Sequence, residues 1–311
     1  MLAIVIPYYK LTYFRDTLDS IANQKDKRFN VYIGDDASSE DCTTLLSQYK
    51  NRIKYTYKRF ENNLGKISLV KHWERCVAMS NKEEWLMILG DDDILESNVI
   101  LEFYKNLGYI NELKINVVRC ASQIIFEKNS TVSDTIYHPK LESIPSFFFR
   151  KFSGKTRSSL SEYFFRKLSY NKFGFTDYPL GWHSDDKAWL DFSEGNQIYT
   201  INNVCIKIRI SESSITGNVM LKEKKINAEV RFYSEMIFEY LDMFSKRTKH
   251  IFLKKYEVTL KNNNNLTFWL FFKLCKKYIE IKHVVGLFKF LRRMYIYKFI
   301  TTTNENHLKD F

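Results

Sequence analysis

The chain has 311 residues, 45% of them hydrophobic and 16% aromatic, enough to bury a large core and too apolar for a disordered class. Its 10 glycines and 4 prolines exclude collagen-like and low-complexity chains, and no charge-free run reaches the roughly 18 apolar residues of a membrane-spanning helix. The net charge of +12 is uneven: residues 1–220 carry 29 basic and 27 acidic side chains, whereas 221–311 carry 19 and 9.

Five scattered cysteines, odd in number and without a Cys-x-x-Cys pair, argue against a disulfide framework or a zinc site and suit a reducing compartment. The opening MLAIVIPYYK lacks the basic start and longer apolar stretch of a secretion signal, so a cytoplasmic location is expected.

Leu2–Pro7 reads as a strand, Phe14, Leu18 and Ile21 as the inward stripe of a helix, and Asn30–Ile33 as a second strand. Ser38-Ser39-Glu40-Asp41 has the composition of a helix start, with Leu45, Leu46 and Tyr49 as the buried side. A strand follows at Ile53–Tyr57, then a helix at Ile67–Met79, a buried strand at Trp85–Leu89, and a helix capped by Ser97 and running through Leu107. This alternation predicts an α/β fold with a mostly parallel sheet covered on both faces. Further strands are expected at Val117–Phe126 and Gln197–Ile210, and helices from Leu221 onward, broken by the four asparagines 262–265.

Sheets of this kind bind ligands at the carboxyl ends of their strands. Two acidic clusters stand there, Gly34-Asp35-Asp36-Ala37-Ser38 and Gly90-Asp91-Asp92-Asp93. Three adjacent carboxylates repel one another, and a hard divalent cation such as Mg²⁺ or Mn²⁺ relieves the repulsion. The plainer reading is a solvated turn with acidic residues at a helix start. Asp36 suits a base N–H or a ribose hydroxyl, or else simple helix capping. A third cluster, Trp182-His183-Ser184-Asp185-Asp186, sets paired acids beside aromatics, where a desolvated carboxylate can act as a general base; Ser-Asp-Asp also begins ordinary helices. His183 suits a structural hydrogen bond.

Together with Ile6-Pro7-Tyr8-Tyr9 and Asn63-Leu64-Gly65, these clusters resemble, in order and spacing over residues 1–215, family 2 glycosyltransferases of the GT-A fold. The resemblance implies a metal-dependent inverting transfer from a nucleotide-diphosphate sugar, such as a UDP-sugar, to a glycan hydroxyl. By position, it implies that Pro7 and Tyr9 flank the base, that Asp36 bonds base or ribose, and that Asn63, Gly65 and Lys66 lie near the nucleotide. It gives the metal to Asp91, Asp92 and Asp93, with Asp92 first, and the acceptor's proton to Asp186, with Asp185 behind it. The family's commoner form is Leu-Asp-x-Asp-Asp, and aligned that way Gly90 replaces its first Asp, leaving Asp92 as the ligand with Asp93 beside it; read as Asp-x-Asp inside the triplet, the pair is Asp91 and Asp93. Arg209, in an Arg-x-Ser segment similar to those of enzymes that extend bacterial surface polysaccharides, is expected to meet diphosphate, or else to pair with Glu212. The organisation implied is a GT-A catalytic domain at 1–215, with nucleotide-binding and acceptor-binding halves at 1–110 and 111–215, and a helical region at 216–311.

In that last region, Lys273, Lys276, Lys277 and Glu280 share a helical face while Phe268, Phe271, Phe272, Cys275 and Ile279 fall elsewhere. Lys289, Arg292 and Arg293 repeat the device with Leu287, Phe290, Leu291 and Met294. Two such segments suit either packing on the catalytic domain or an anionic membrane surface. The membrane reading implies a peripheral protein on the inner face of the cell membrane, facing a lipid-diphosphate-linked glycan of O-antigen or capsule assembly. A nucleic-acid binder using the same basic tail leaves the acidic clusters unexplained, and no nucleic-acid partner is expected. A nucleotidyltransferase of similar fold opens with a glycine-rich phosphate loop that Pro7-Tyr8-Tyr9-Lys10 does not supply. A non-catalytic relative keeps the same pattern.

Overall fold

A computed structural model describes residues 1–212, 214–263 and 265–307, with side chains through Tyr297. Ser213, within the Arg-x-Ser segment, and Asn264, within the asparagine run, lie outside the described residues. The chain divides into two compact units, Met1–Phe232 and Tyr233–Phe311.

The first unit opens with β1 (Leu2–Tyr8), α1 (Phe14–Ala22), β2 (Phe29–Asp35), α2 (Thr43–Ser47), β3 (Tyr55–Arg59), α3 (Leu69–Val77) and β4 (Trp85–Ile88). Short β5 (Ile94–Leu95) leads into α4 (Val99–Glu112) and β6 (Val117–Phe126). Two-residue strands β7 (Thr131–Val132) and β8 (Leu141–Glu142) precede α5 (Ile144–Phe152), β9 (Tyr163–Arg166), α6 (Lys167–Phe173), α7 (Ser184–Phe192) and β10 (Ile198–Ile210). α8 (Lys222–Phe238) carries the chain out of this unit.

One sheet runs in the order β3-β2-β1-β4-β9-β6-β10-β5. The first four strands pair in parallel, as the β-α alternation requires. β9 then enters antiparallel to both β4 and β6, so the parallel character belongs to the first half and the second half is mixed. Because helices cover both faces of β1, its residues 2–6 are all buried whichever way they point. Phe14, Leu18 and Ile21 of α1 and Leu45, Leu46 and Tyr49 of the α2 region fill the layer above, as their spacing predicts.

Helix starts differ in detail. Ile67 is exposed and outside α3, whose first amides are capped by Ser68, its Oγ accepting from Lys71 N at 3.1 Å. Asp41, not Ser38, caps α2 through Thr43 N at 2.9 Å. α4 starts one residue beyond Asn98, whose own side chain does not cap it; instead Gln24 Oε1 accepts from Ile100 N in its first turn at 3.1 Å.

The second unit contains α9 (Lys246–Asn262), α10 (Phe268–Glu280) and α11 (Val284–His307). Thr267 caps α10 through Leu270 N. α10 and α11 meet where Phe271 and Tyr278 stack on Phe290, at ring separations of 5.5 and 5.4 Å. Two expectations for this region change. Arg293 does not join an exposed basic face: it grips the buried Glu257 with two hydrogen bonds of 2.7 and 2.5 Å, reaching α9. On α10 the aromatics are not kept apart from the lysines: Phe268, Trp269, Phe272, Ile279 and Lys276 are exposed together, because the buried face is the one bearing Leu274 and Tyr278.

Candidate active site

The carboxyl ends of β1, β2 and β4 lie side by side, so the residues that follow them converge. β1 and β2 stay paired to Tyr8↔Asp35, and Asp36 N then donates to Tyr8 O at 3.1 Å. Asp91 closes the other flank, with Oδ2 accepting from Tyr9 N at 2.7 Å and from Lys10 N at 2.8 Å. Tyr9 is left 42% exposed beside Pro7, a ring free to stack on a flat ligand.

Neither acid of the Asp35-Asp36 pair reaches out to solvent. Asp35 is fully buried, accepting from Ser38 N at 2.8 Å, Tyr57 OH at 2.7 Å and Arg59 at 2.8 Å. Asp36 accepts from Leu64 N at 2.8 Å and Gly65 N at 2.9 Å and is ion-paired to Arg75. Burial pushes the Asp36 carboxyl up, and the two amides and Arg75 oppose that push. Instead of presenting itself to a base, Asp36 holds the 63–66 loop in place. Gly65 is required there, since a Cβ would fall 2.5 Å from Asp36 Oδ2. Asn63 Oδ1 accepts from Lys66 N at 2.9 Å, completing the turn with the Lys66 side chain outward. His72, 3.3 Å from Asp36, is pushed down to about 3 by burial and by Arg75, so it stays neutral.

The Asp91-Asp92-Asp93 turn follows β4. Gly90 N donates to Ser161 Oγ at 3.0 Å, and Asp93 Oδ1 accepts from Arg209 N at 2.9 Å. Asp92 is half-buried, and among the described residues no hydrogen bond reaches its carboxylate. Burial, then the charges of Asp93 and Asp91, hold Asp92 well above the usual carboxylate range. A Cβ on Gly90 would come 2.8 Å from Asp93 Oδ2 and 3.0 Å from Asp92 Oδ1, so both carboxylates crowd the space over that glycine. A side chain at this position would have to push those two carboxylates aside. Among the described residues no three acid, His or Cys side chains form a ready-made metal cage. The free Asp92 carboxylate next to Asp93 nonetheless suits a hard cation completed by other oxygens.

Arg209 is placed differently from expectation. Its guanidinium is nearly buried, donating to Asp92 O at 3.0 Å and to Asp16 at 2.9 Å, ion-paired to Glu127 and lying 4.1 Å from the centre of the Tyr13 ring. Glu212 is not among these partners. Arg209 braces the acidic turn rather than offering itself to diphosphate.

The late acids open α7. The loop before it carries four residues with positive φ, Gly174, Leu180, Gly181 and His183, and Gly181 packs so near Trp73 that a Cβ would sit 2.6 Å from the indole. Asp177, in the same loop, accepts from Ser68 Oγ at 2.8 Å, linking the loop to α3. Asp186 is fully buried, ion-paired to Lys151 and bonded to His183 Nδ1 at 2.7 Å. Burial alone would raise it, but Lys151 and His183 outweigh burial and hold Asp186 below the ordinary range. Asp185 is half-buried, and burial with the Asp186 charge pushes it up to about 6. The accessible carboxylate with raised proton affinity is therefore Asp185, and Asp186 is its buried neighbour.

Lys151, Ser161, Arg75 and His72 also contact these acids and the acidic turn, and no sequence motif marks them. Lys151 and Ser161 carry no local signature, since their partners lie 35 and 71 positions away.

Residues 3–159 match the family model for glycosyl transferase family 2. An uncharacterized glycosyltransferase of Rickettsia prowazekii (strain Madrid E) is 25% identical over 271 residues, spanning 85% of this chain and 80% of its own. Among solved structures, S. aureus TarS 1–349 in complex with UDP-GlcNAc superposes with a TM-score of 0.63 at 13% identity, covering 90% of this chain and 80% of that one. GalNAc-T7 with UDP, GalNAc and Mn²⁺ gives 0.53 at 12% identity, covering 90% and 57%. At such identities the structural likenesses show a shared GT-A fold. With half of its length matched by the family model and its sheet carrying the expected edge, the chain belongs to glycosyl transferase family 2.

Proposed function

We propose that this transferase moves a hexosyl or N-acetylhexosaminyl group, with inversion, from a UDP-sugar to a hydroxyl of a lipid-diphosphate-linked glycan, in O-antigen or capsule assembly at the inner face of the cell membrane. Residues 1–215 form the catalytic domain in this reading, and the basic C-terminal helices provide a peripheral contact with an anionic membrane surface. The donor class is supported by the UDP and UDP-GlcNAc complexes of the TarS neighbour.

The observation that carries the reading is the Asp92 carboxylate, unbonded among the described residues and crowded by Asp93 at the carboxyl edge of the sheet. Asp92, with Asp93 beside it, would hold Mn²⁺ or Mg²⁺, which when bound neutralises charge on the diphosphate. Asp91 fixes the Tyr9–Lys10 backbone so that the Tyr9 ring stacks on the base, and the 63–66 loop, held by Asp36, lines the nucleotide. Asp185 takes the proton of the acceptor hydroxyl. That oxygen bonds to the anomeric carbon as the bond to the diphosphate breaks and the nucleoside diphosphate leaves. Lys151 and His183 hold Asp186 ionised, and its charge keeps the proton affinity of Asp185 high.

A thermal-shift panel of UDP, GDP, CMP and dTDP, each with and without Mn²⁺, tests donor and metal together. Stabilisation by UDP only when Mn²⁺ is present is the expected result. No response to any nucleotide would overturn the reading in favour of a non-catalytic relative.

A further inference from the structure

α10 and α11 bury one side in their own seam and leave large apolar side chains on the other. On α10, Phe268, Trp269 and Phe272 are 79%, 63% and 52% exposed. Phe268, Phe272 and Ile279 recur at i, i+4 and i+11, which places them on one side of the helix. On α11, Val284, Phe288 and Tyr295 have the same spacing and are 61%, 67% and 64% exposed. A helix that faces only water has no use for such a stripe.

Cations share those outer sides. Lys276, Lys289 and Arg292 are exposed among the apolar residues, and residues 268–297 hold seven basic side chains against one acidic. That one acid, Glu280, is matched by Lys277 at 2.8 Å. Lys273 lies 3.4 Å from the centre of the Trp269 ring, keeping a cation at the edge of the apolar stripe. No described helix is long and apolar enough to cross a membrane.

We propose that the outer face of the α10–α11 hairpin, with Phe268, Trp269, Phe272 and Phe288 as its apolar anchors and Lys276, Lys289 and Arg292 as its cations, lies on an anionic lipid surface. The inference rests on the peripheral placement proposed above and names the residues that make it. Aromatic rings enter the boundary between headgroups and acyl chains, and the cations meet lipid phosphates. An apolar groove on a partner protein would satisfy the aromatics and leave the excess positive charge unanswered; a bilayer answers both.

The test is co-sedimentation of the full chain with sucrose-loaded vesicles of phosphatidylcholine alone or mixed with phosphatidylglycerol. Binding to the mixed vesicles is expected to be about tenfold or more tighter. It should fall by a similar factor in the paired variant Phe268→Ser/Phe288→Ser and in Lys276→Glu/Arg292→Glu. All four positions are exposed, and unchanged thermal melting verifies that the variants fold. If the wild type binds and the serine pair binds equally well, this face is wrong while peripheral placement stands. If the wild type binds neither vesicle, peripheral placement falls and the inference with it. Equal binding to both vesicles removes the role of the cations. A wild-type dimer that the serine pair abolishes, without vesicle binding, assigns the face to a second copy of the chain and overturns the lipid assignment.

Discussion

Gly90 and Ser161 meet through a single hydrogen bond, the glycine N–H donating to the serine Oγ at 3.0 Å across 71 positions of sequence. It ties the acidic turn to the segment that leads into β9, and the glycine that makes it also leaves the space into which Asp92 and Asp93 turn. In Gly90→Ala the new methyl group must displace those carboxylates. UDP binding in the presence of Mn²⁺, followed by calorimetry, should weaken about tenfold or more, while stability drops by about 1–3 kcal/mol.

Asp92→Asn separates binding from folding. It replaces a crowded carboxyl, held well above the usual carboxylate range by burial and by Asp93 and Asp91, without removing a hydrogen bond among the described residues, so the melting temperature should hold or rise. Mn²⁺-supported UDP binding and transfer should both collapse. Transfer at the wild-type rate in this variant would remove Asp92 from the metal site.

Asp185→Asn should lower kcat by about 10²–10⁴ and leave UDP affinity unchanged, the pattern of a lost general base. A base works only when ionised, and Asp185 is raised to about 6 by burial and by the Asp186 charge. In the wild type, kcat/KM should therefore fall as pH drops through about 6 and level off above it. That acid limb should vanish from the residual activity of Asp185→Asn.

Asp186→Asn is expected to act first on stability. It strands the Lys151 ammonium, whose side chain is only 17% exposed, without its counter-charge. Chemical denaturation should show a loss of about 3 kcal/mol. Adding Lys151→Met should restore most of that loss, because the stranded charge goes with it. No recovery in the double variant would show that the pair does not act through charge.

The β-α alternation through β4 was legible because continuous apolar runs and helical stripes are local signals, and Leu18, Ile21, Leu45 and Leu46 lie where their spacing puts them. The antiparallel entry of β9 was not, since Tyr163-Phe164-Phe165 reads alike in either direction and only its neighbours in the sheet decide. At the site, the clusters themselves were visible, but how they divide the labour was not. Asp185 and Asp186 are both acids at a helix start, and only Lys151, reaching in from α5, makes the second a buried counter-ion. Arg209 was legible as a cation near the site. Its partners Asp16 and Glu127 lie 193 and 82 positions away, and they turn it from a ligand group into a brace.

The ion pairs along the ligand edge change its electrostatic sign budget. Asp35, Asp36, Asp91, Asp92, Asp93, Asp185 and Asp186 would make that rim strongly repulsive to a phosphate. Arg59, Arg75 and Lys151 cancel Asp35, Asp36 and Asp186 in place. The repulsion left over is concentrated at the acidic turn, where a bound cation would remove it. In the proposed reaction, a nucleotide diphosphate would approach over partly neutralised ground, and a bound cation would be needed only at the acidic turn.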